Sequence, residues 1–215
     1  MALEYENAGD RNVTAIEMRS DHLLPPPPSP KSQVAWWGMV LFLLNEATLF
    51  ASLIGGYFYL GVGNREWPPA GTPKPELRLP LVMTALLLSS SIVLIVGEKG
   101  FEQGKRIRYR VASIITILLG LGFLFVQARE YADKLKAHSP TENAYESIFF
   151  TITGLHGTHV AFGLLFLLWA LCREWSGTTH PRYPLAIKNS SLYWHFVDGV
   201  WLVILTCLYL SPRWY

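Results

Sequence analysis

Charge is partitioned along this chain in a way that one environment explains best. Five apolar stretches, 34–60, 79–97, 111–128, 147–172 and 191–211, hold about half of the 215 residues but only two formally charged side chains, Glu46 and Asp198. The other 32 Asp, Glu, Lys and Arg residues lie in the N-terminal segment and the connections. Each stretch has the roughly 17–25 residues, or slightly more, that a helix needs to cross about 30 Å of hydrocarbon. A buried soluble core would not separate charge so completely. The expected fold is an all-α integral membrane protein, a bundle of five transmembrane helices.

Composition excludes several other classes. Charged residues make up 16% of the chain, against about 25% in a typical soluble domain. Disorder would require low hydrophobicity and high net charge, yet 51% of residues are hydrophobic and the net charge is +2. That small charge gives no electrostatic case for nucleic acid. Two cysteines cannot build a disulfide scaffold, a thiolate zinc site or an iron–sulfur cluster. Cys172 and Cys207, near opposite ends of antiparallel spans, are too far apart to pair.

Residues 1–33 read as a polar, proline-rich tail ahead of a transmembrane domain at 34–215. The tail lacks the apolar core of a signal peptide, and prolines 25–28 and 30 suit an extended spacer. The 61–78 connection, rich in Gly and Pro, reads as an irregular loop with Trp67 at headgroup level. Lys and Arg number eleven on the tail's side of the membrane and seven on the other. The positive-inside rule then puts the N-terminus in the cytoplasm and the C-terminus outside.

Polar side chains inside the spans carry the functional information, because an ionisable group at mid-bilayer is costly without a partner. Glu46 lies twelve residues into the first span, about 18 Å from the cytoplasmic edge at 1.5 Å per residue. His156 and His159 lie about 13 and 18 Å from the outer edge by the same rise. In a core of about 30 Å, Glu46 and His156 fall at nearly equal depth, and the two histidines share a helix face. A Glu–His pair between the first and fourth helices is therefore expected. His195 and Asp198 form a second i, i+3 pair, nearer the cytoplasmic side. HxxH and HxxD together could supply four metal ligands, but their depths differ by about 11 Å. The mismatch favours hydrogen-bonded histidines over metal or haem ligation.

Gly154, Gly157 and Gly163, Gly55-Gly56 and Ser89-Ser90-Ser91 mark faces where helices should approach closely. The aromatics Trp36, Trp37, Trp67, Trp175, Tyr193, Trp194, Trp214 and Tyr215 lie near span ends and suit an interfacial belt.

Four segments together resemble one family. Gly154-Leu-His-Gly-Thr-His-Val-Ala-Phe-Gly163 is similar to the GxHGxHVxxG segment of subunit III of the haem–copper oxygen reductases. Tyr193-Trp-His-Phe-Val-Asp-Gly-Val-Trp201 is similar to that family's last-helix motif. Asn45-Glu-Ala-Thr-Leu-Phe50 resembles its SE-x-x-x-F segment, and Gln127-Ala-Arg-Glu-Tyr131 its Q-x-x-E-Y segment. The likeness runs from about residue 34 to 215 and omits the tail. Asn45 replaces the usual serine and Gly199 a common valine.

The resemblance implies a five-helix bacterial form in the inner membrane. Such a subunit is non-catalytic and carries no haem, copper or other metal. It packs against catalytic subunit I of a proton-pumping oxidase that reduces O2 to water, and it binds phospholipid and supports proton uptake. Glu46, Glu130, His156, His159, His195 and Asp198 carry over as its intramembrane polar network. A lipid cleft between helices one–two and three–five is implied, with Arg78, Arg129 and Arg173 as candidate phosphate contacts. Cytochrome c oxidase is the favoured complex. A quinol oxidase, or an accessory subunit of nitric oxide reductase, remains open, and a stand-alone transporter centred on Glu46 is the reading from another class.

Overall fold

The structure, a computed structural model, describes residues 30–62, 64, 67–69, 72, 75–137, 139–176 and 183–213. The prolines at 25–28, Trp214, Tyr215, and Gly63, Gly71 and Pro73 of the first connection lie outside the described residues. The described residues form α1 (Pro30–Val62), α2 (Arg78–Glu102), α3 (Arg106–Ala137), α4 (Ala144–Trp175) and α5 (Tyr183–Ile204). A π-helical turn, Leu205–Leu210, and a 3-10 turn, Ser211–Arg213, continue α5. Five helical segments are long and apolar enough to cross a membrane: Gln33–Val62, Arg78–Glu102, Arg106–Lys136, Ala144–Trp175 and Leu185–Arg213. The chain is a multi-pass membrane protein.

The helices overrun the apolar windows. α2 continues through Glu98, Lys99 and Glu102, and α3 begins on Arg106 and ends past Lys136. Arg, Lys and Glu are good helix formers, so the hydrogen-bond ladder continues past the hydrocarbon edge. Asn143 caps α4, its side-chain oxygen accepting from the Glu146 amide at 2.8 Å. Gly104, at φ 76°, ends α2 in a Schellman turn: its amide donates to the Phe101 carbonyl at 2.9 Å, and that of Lys105 to Gly100 at 2.8 Å.

That three-residue turn folds α3 back along α2, giving the most extensive helix pairing in the protein. Close approach needs Gly97 and Gly100, where an added Cβ would lie 2.6 Å from Ala112 Cβ and 2.5 Å from Arg108 Cδ. α3 also packs on α4, α4 on α5, and α5 on α2, closing a ring of four helices.

The chain divides into two units, Met1–Ala35 and Trp36–Tyr215, and the helix ring lies in the second. Within that unit α1 is attached by a single seam. Its buried residues Leu43, Phe50 and Tyr57 recur every seven positions, with Glu46 and Leu53 half-buried between them, the 3.5-residue spacing of a coiled-coil face. Leu41, Leu44, Phe58 and Tyr59 are exposed around the rest of the helix. The seam meets α4 and α5 through ring contacts, Phe50 with His159 at 5.1 Å, Tyr57 with Tyr145 at 6.1 Å and Phe42 with Tyr193 at 6.2 Å.

Three expectations change here. The implied division between helices one–two and three–five does not hold, because the tight Gly104 turn binds α2 to α3, while α1 is joined to α2 only by the long link between Val62 and Arg78. Tyr193 and Trp194 are not belt residues: they are 5% and 0% exposed and lie in the core. Their place there follows from Gly120 and Gly163, whose added Cβ atoms would lie 2.6 Å and 3.0 Å from the Trp194 ring. Gly55 has nothing within 4 Å and Gly56 makes only an ordinary 3.5 Å contact, so that pair marks no close approach. Trp36, Trp37 and Trp175 are exposed, whereas Trp67 folds back against Tyr57 at 5.6 Å and Tyr145 at 5.3 Å.

Candidate functional site

The intramembrane polar residues fall into three separate clusters, each joining different helices. The first joins α1 to α4. Glu46 Oε2 lies 2.9 Å from His159 Nε2, with side chains 14% and 12% exposed. His159 Nδ1 lies 2.8 Å from the Leu155 carbonyl. A carbonyl only accepts, so Nδ1 carries a hydrogen. The proton shared by Nε2 and Glu46 then sits on one or the other, and the pair is satisfied as acid plus imidazole or as carboxylate plus imidazolium. The Tyr193 hydroxyl donates to the His159 carbonyl at 3.3 Å.

The expected pairing of Glu46 with the His156/His159 face of α4 forms, and its partner is His159, although His156 is the nearer in depth. Three residues turn a helix by about 300°, so the two histidines point some 60° apart. α4 uses the His156 direction to pack inward on the ring. His156 is 0% exposed, stacked on Trp201 at 5.3 Å and edge-on to Phe123 at 5.7 Å. Neither of its ring nitrogens has a hydrogen-bond partner among the described residues.

The second cluster joins α2 to α5. Ser91 Oγ lies 2.8 Å from His195 Nδ1 and donates to Asp198 Oδ2. His195 Nε2 faces Glu98 Oε2 at 3.9 Å. On the same interface Trp194 Nε1 donates to Ser90 Oγ at 2.9 Å and Trp201 Nε1 to Thr84 Oγ1 at 3.0 Å. Ser90 and Ser91 were legible only as small residues, although a serine run in an apolar span is also a row of acceptors for a facing helix.

The third cluster joins α3 to α4 and to the end of α5. The Tyr209 hydroxyl, within the π-helical turn, donates to Glu130 Oε1 and Oε2 at 3.1 and 3.3 Å. Lys134 Nζ lies 3.2 Å from Glu130 Oε1 and 3.6 Å from the centre of the Phe149 ring, a cation–π contact. Gln127 Nε2 donates to the Thr153 carbonyl at 2.7 Å, and the Tyr131 hydroxyl meets Thr153 Oγ1 at 2.7 Å. Tyr209 and Lys134 escape sequence reading, one because it sits in an apolar run, the other because it reads as an ordinary basic residue at a span end.

The three arginines differ in setting. Arg129 and Arg173 lie over the exposed rings of Phe125 at 5.1 Å and Trp169 at 5.4 Å, and Arg78 opens α2. Among the described residues no group of three or more His, Cys, Asp or Glu side chains could hold a metal ion.

The family model for cytochrome c oxidase subunit III matches residues 31–214, a range that contains all three clusters. This chain belongs to that family. It is 37% identical over 179 residues to cytochrome c oxidase subunit 3 of Synechocystis, covering 81% of this chain and 74% of the relative. With the subunit 3 of Lumbricus terrestris it shares 35% over 179 residues, covering 80% and 68%. With that of Rattus norvegicus it shares 35% over 185 residues, covering 83% and 69%. In subunit III terms, the GxHGxH segment supplies the α1–α4 cluster and the YWHFVD segment the α2–α5 cluster. The Q-x-x-E-Y segment supplies the third.

Proposed function

We propose that this chain is the non-catalytic subunit III of a terminal oxidase, a cytochrome c oxidase that reduces O2 to water and pumps protons. It works beside catalytic subunit I in a bacterial inner membrane, with its N-terminus in the cytoplasm. The observation that carries the reading is the family match across all five helices. Two features fit it. Most of α1 is apolar and exposed, a surface suited to lipid or to a larger helical partner. Arg129 and Arg173, each over an exposed aromatic ring near a span end, are the side chains proposed to meet phospholipid phosphates.

In this role the chain holds haem and copper only through its partners. Its own contribution is to hold the catalytic subunit in its working shape, to keep lipid at the boundary and to assist proton uptake. The test is purification of the tagged chain in mild detergent. Co-elution with a haem-absorbing partner that oxidises cytochrome c supports the proposal; a colourless chain eluting alone overturns it.

A further inference from the structure

The α2–α5 cluster is continuous with a cavity, and the two together have the make-up of a proton inlet. A cavity of ≈ 370 Å³ lies between α1, α2 and α5 at the hairpin end of the ring, and Glu98 and His195 are in its wall. Its rim is open to solvent, with Glu102 and Lys188 60% and 64% exposed and 3.5 Å apart. Behind it, Ser91 connects His195 Nδ1 to Asp198, which is only 5% exposed.

Two buried polar atoms on this path have no hydrogen-bond partner among the described residues. They are His195 Nε2 and Asp198 Oδ1, both on α5. An orphaned buried group costs about 1–3 kcal/mol, and internal water with two to four polar partners is the usual remedy. The 3.9 Å separation of His195 Nε2 and Glu98 is also one that a water can bridge.

The geometry points to a relay, Glu98–His195–Ser91–Asp198, that carries protons from the cavity to Asp198 inside the membrane. A solvent proton taken by the Glu98 carboxylate passes to His195 Nε2. The Nδ1 proton then moves to Ser91 Oγ while the Ser91 hydroxyl proton moves to Asp198 Oδ2. One proton enters, one carboxylate becomes a carboxylic acid, and no group changes oxidation state. The same steps in reverse release it.

Other charges surround the path without interrupting it. Lys99 and Glu102 on α2 and Lys188 on α5 line the cavity, where α1 contributes Trp36. From α3, Tyr109 is within electrostatic reach of Glu98 and Glu174. Arg110 of α3 is paired with Glu174 of α4 at 3.3 Å. Only the destination of the proton in a partner subunit rests on the oxidase reading; the exchange at Asp198 does not.

Infrared spectroscopy of the detergent-purified full chain, with whatever partners it retains, tests the relay. With aspartate labelled by carbon-13 at the carboxyl, a carboxylic-acid band should appear and vanish with pH and be absent from Asp198→Asn. After a pH jump, Ser91→Ala should slow that band by at least about tenfold, and Ser91→Thr should restore its rate. His195→Gln carries the same expectation should Ser91→Ala fail to assemble. A wild-type Asp198 band indifferent to pH, or one that responds at full rate without the Ser91 hydroxyl, would overturn the relay. Haem absorbance in the same sample reports separately on the oxidase reading.

Discussion

Removal of the Glu46 carboxyl tests how α1 is held. Lipid tails are as apolar as Leu43, Phe50 and Tyr57, so in a membrane these residues gain little from the hydrophobic effect when they dock. The 2.9 Å bond to His159 is then a large fraction of what fixes α1 against α4. Glu46→Ala loses an interhelical bond worth about 0.6–1.7 kcal/mol and leaves His159 Nε2 without a partner, a further 1–3 kcal/mol or so. The combined loss is about 2–5 kcal/mol, at least a tenfold shift toward an undocked α1. Glu46→Gln keeps a hydrogen bond and should cost less than about 1 kcal/mol.

Spin labels on the outward faces at Leu49 and Phe162, in a background lacking Cys172 and Cys207, would read the α1–α4 distance directly. Glu46→Ala should broaden and lengthen that distribution and lower the denaturation midpoint, while Glu46→Gln stays near wild type. The double variant Glu46→Ala/His159→Phe should recover part of the loss, because it removes the orphaned imidazole as well as the carboxyl. An unchanged distance and midpoint in Glu46→Ala would refute the reasoning. A Gln variant as disordered as the Ala variant would show that charge, and not the bond, holds the helix.

The remaining predictions concern the ring and, in one case, α1. Gly120→Ala places a methyl 2.6 Å from both Leu164 Cδ2 and Trp194 Cη2, and should destabilise the protein by about 1–3 kcal/mol in a detergent melt. Gly55→Ala meets nothing within 4 Å and should be neutral or slightly stabilising in the same assay, since Ala is the better helix former. Lys134→Met should cost about 1–3 kcal/mol by stripping Glu130 of its cation; adding Glu130→Gln should recover part of that, which a double-mutant cycle on melting midpoints would detect. Thr153→Val removes a 2.7 Å partner from Tyr131, which retains the Phe150 carbonyl at 3.1 Å, so its loss should stay under about 1.5 kcal/mol by chemical denaturation.

What the residues reveal beforehand divides along physical lines. The five helices were legible because hydrocarbon excludes charge, and that exclusion is written directly into the order of residues. Depth was legible too, since helix rise is constant, and it brought Glu46 opposite the paired histidines of α4. Azimuth was not. Which of His156 and His159 faces α1 depends on how α4 turns its bulky side against Phe123 and Trp201, a property of the packed ring. For the same reason Trp194 resembles a belt residue by position, yet it is placed in the core by the two glycines flanking its ring and by the Ser90 hydroxyl. The grouping of α2 with α3 was present as a short Gly-containing link, a signal outweighed by a pattern carried over from the family.

The family's motifs make mechanical sense once each polar side chain is followed to its partner. In lipid, association of apolar faces supplies little register, and small residues with interhelical hydrogen bonds must supply the rest. His159 of the GxHGxH segment fixes α4 to α1 through Glu46. Trp194, His195, Asp198 and Trp201 of the last-helix segment fix α5 to α2 through Ser90, Ser91 and Thr84. Gln127, Glu130 and Tyr131 fix α3 to α4 and to the end of α5 through Thr153 and Tyr209. Every helix is thus tied to another by at least one polar contact drawn from a motif, and the contacts share no residue between clusters. Such fasteners matter because a helix free to slide past its neighbour would change the surface that the bundle presents. The α2–α5 set also borders a cavity with an exposed rim, so the same side chains that fasten these helices are the ones available to the proposed relay.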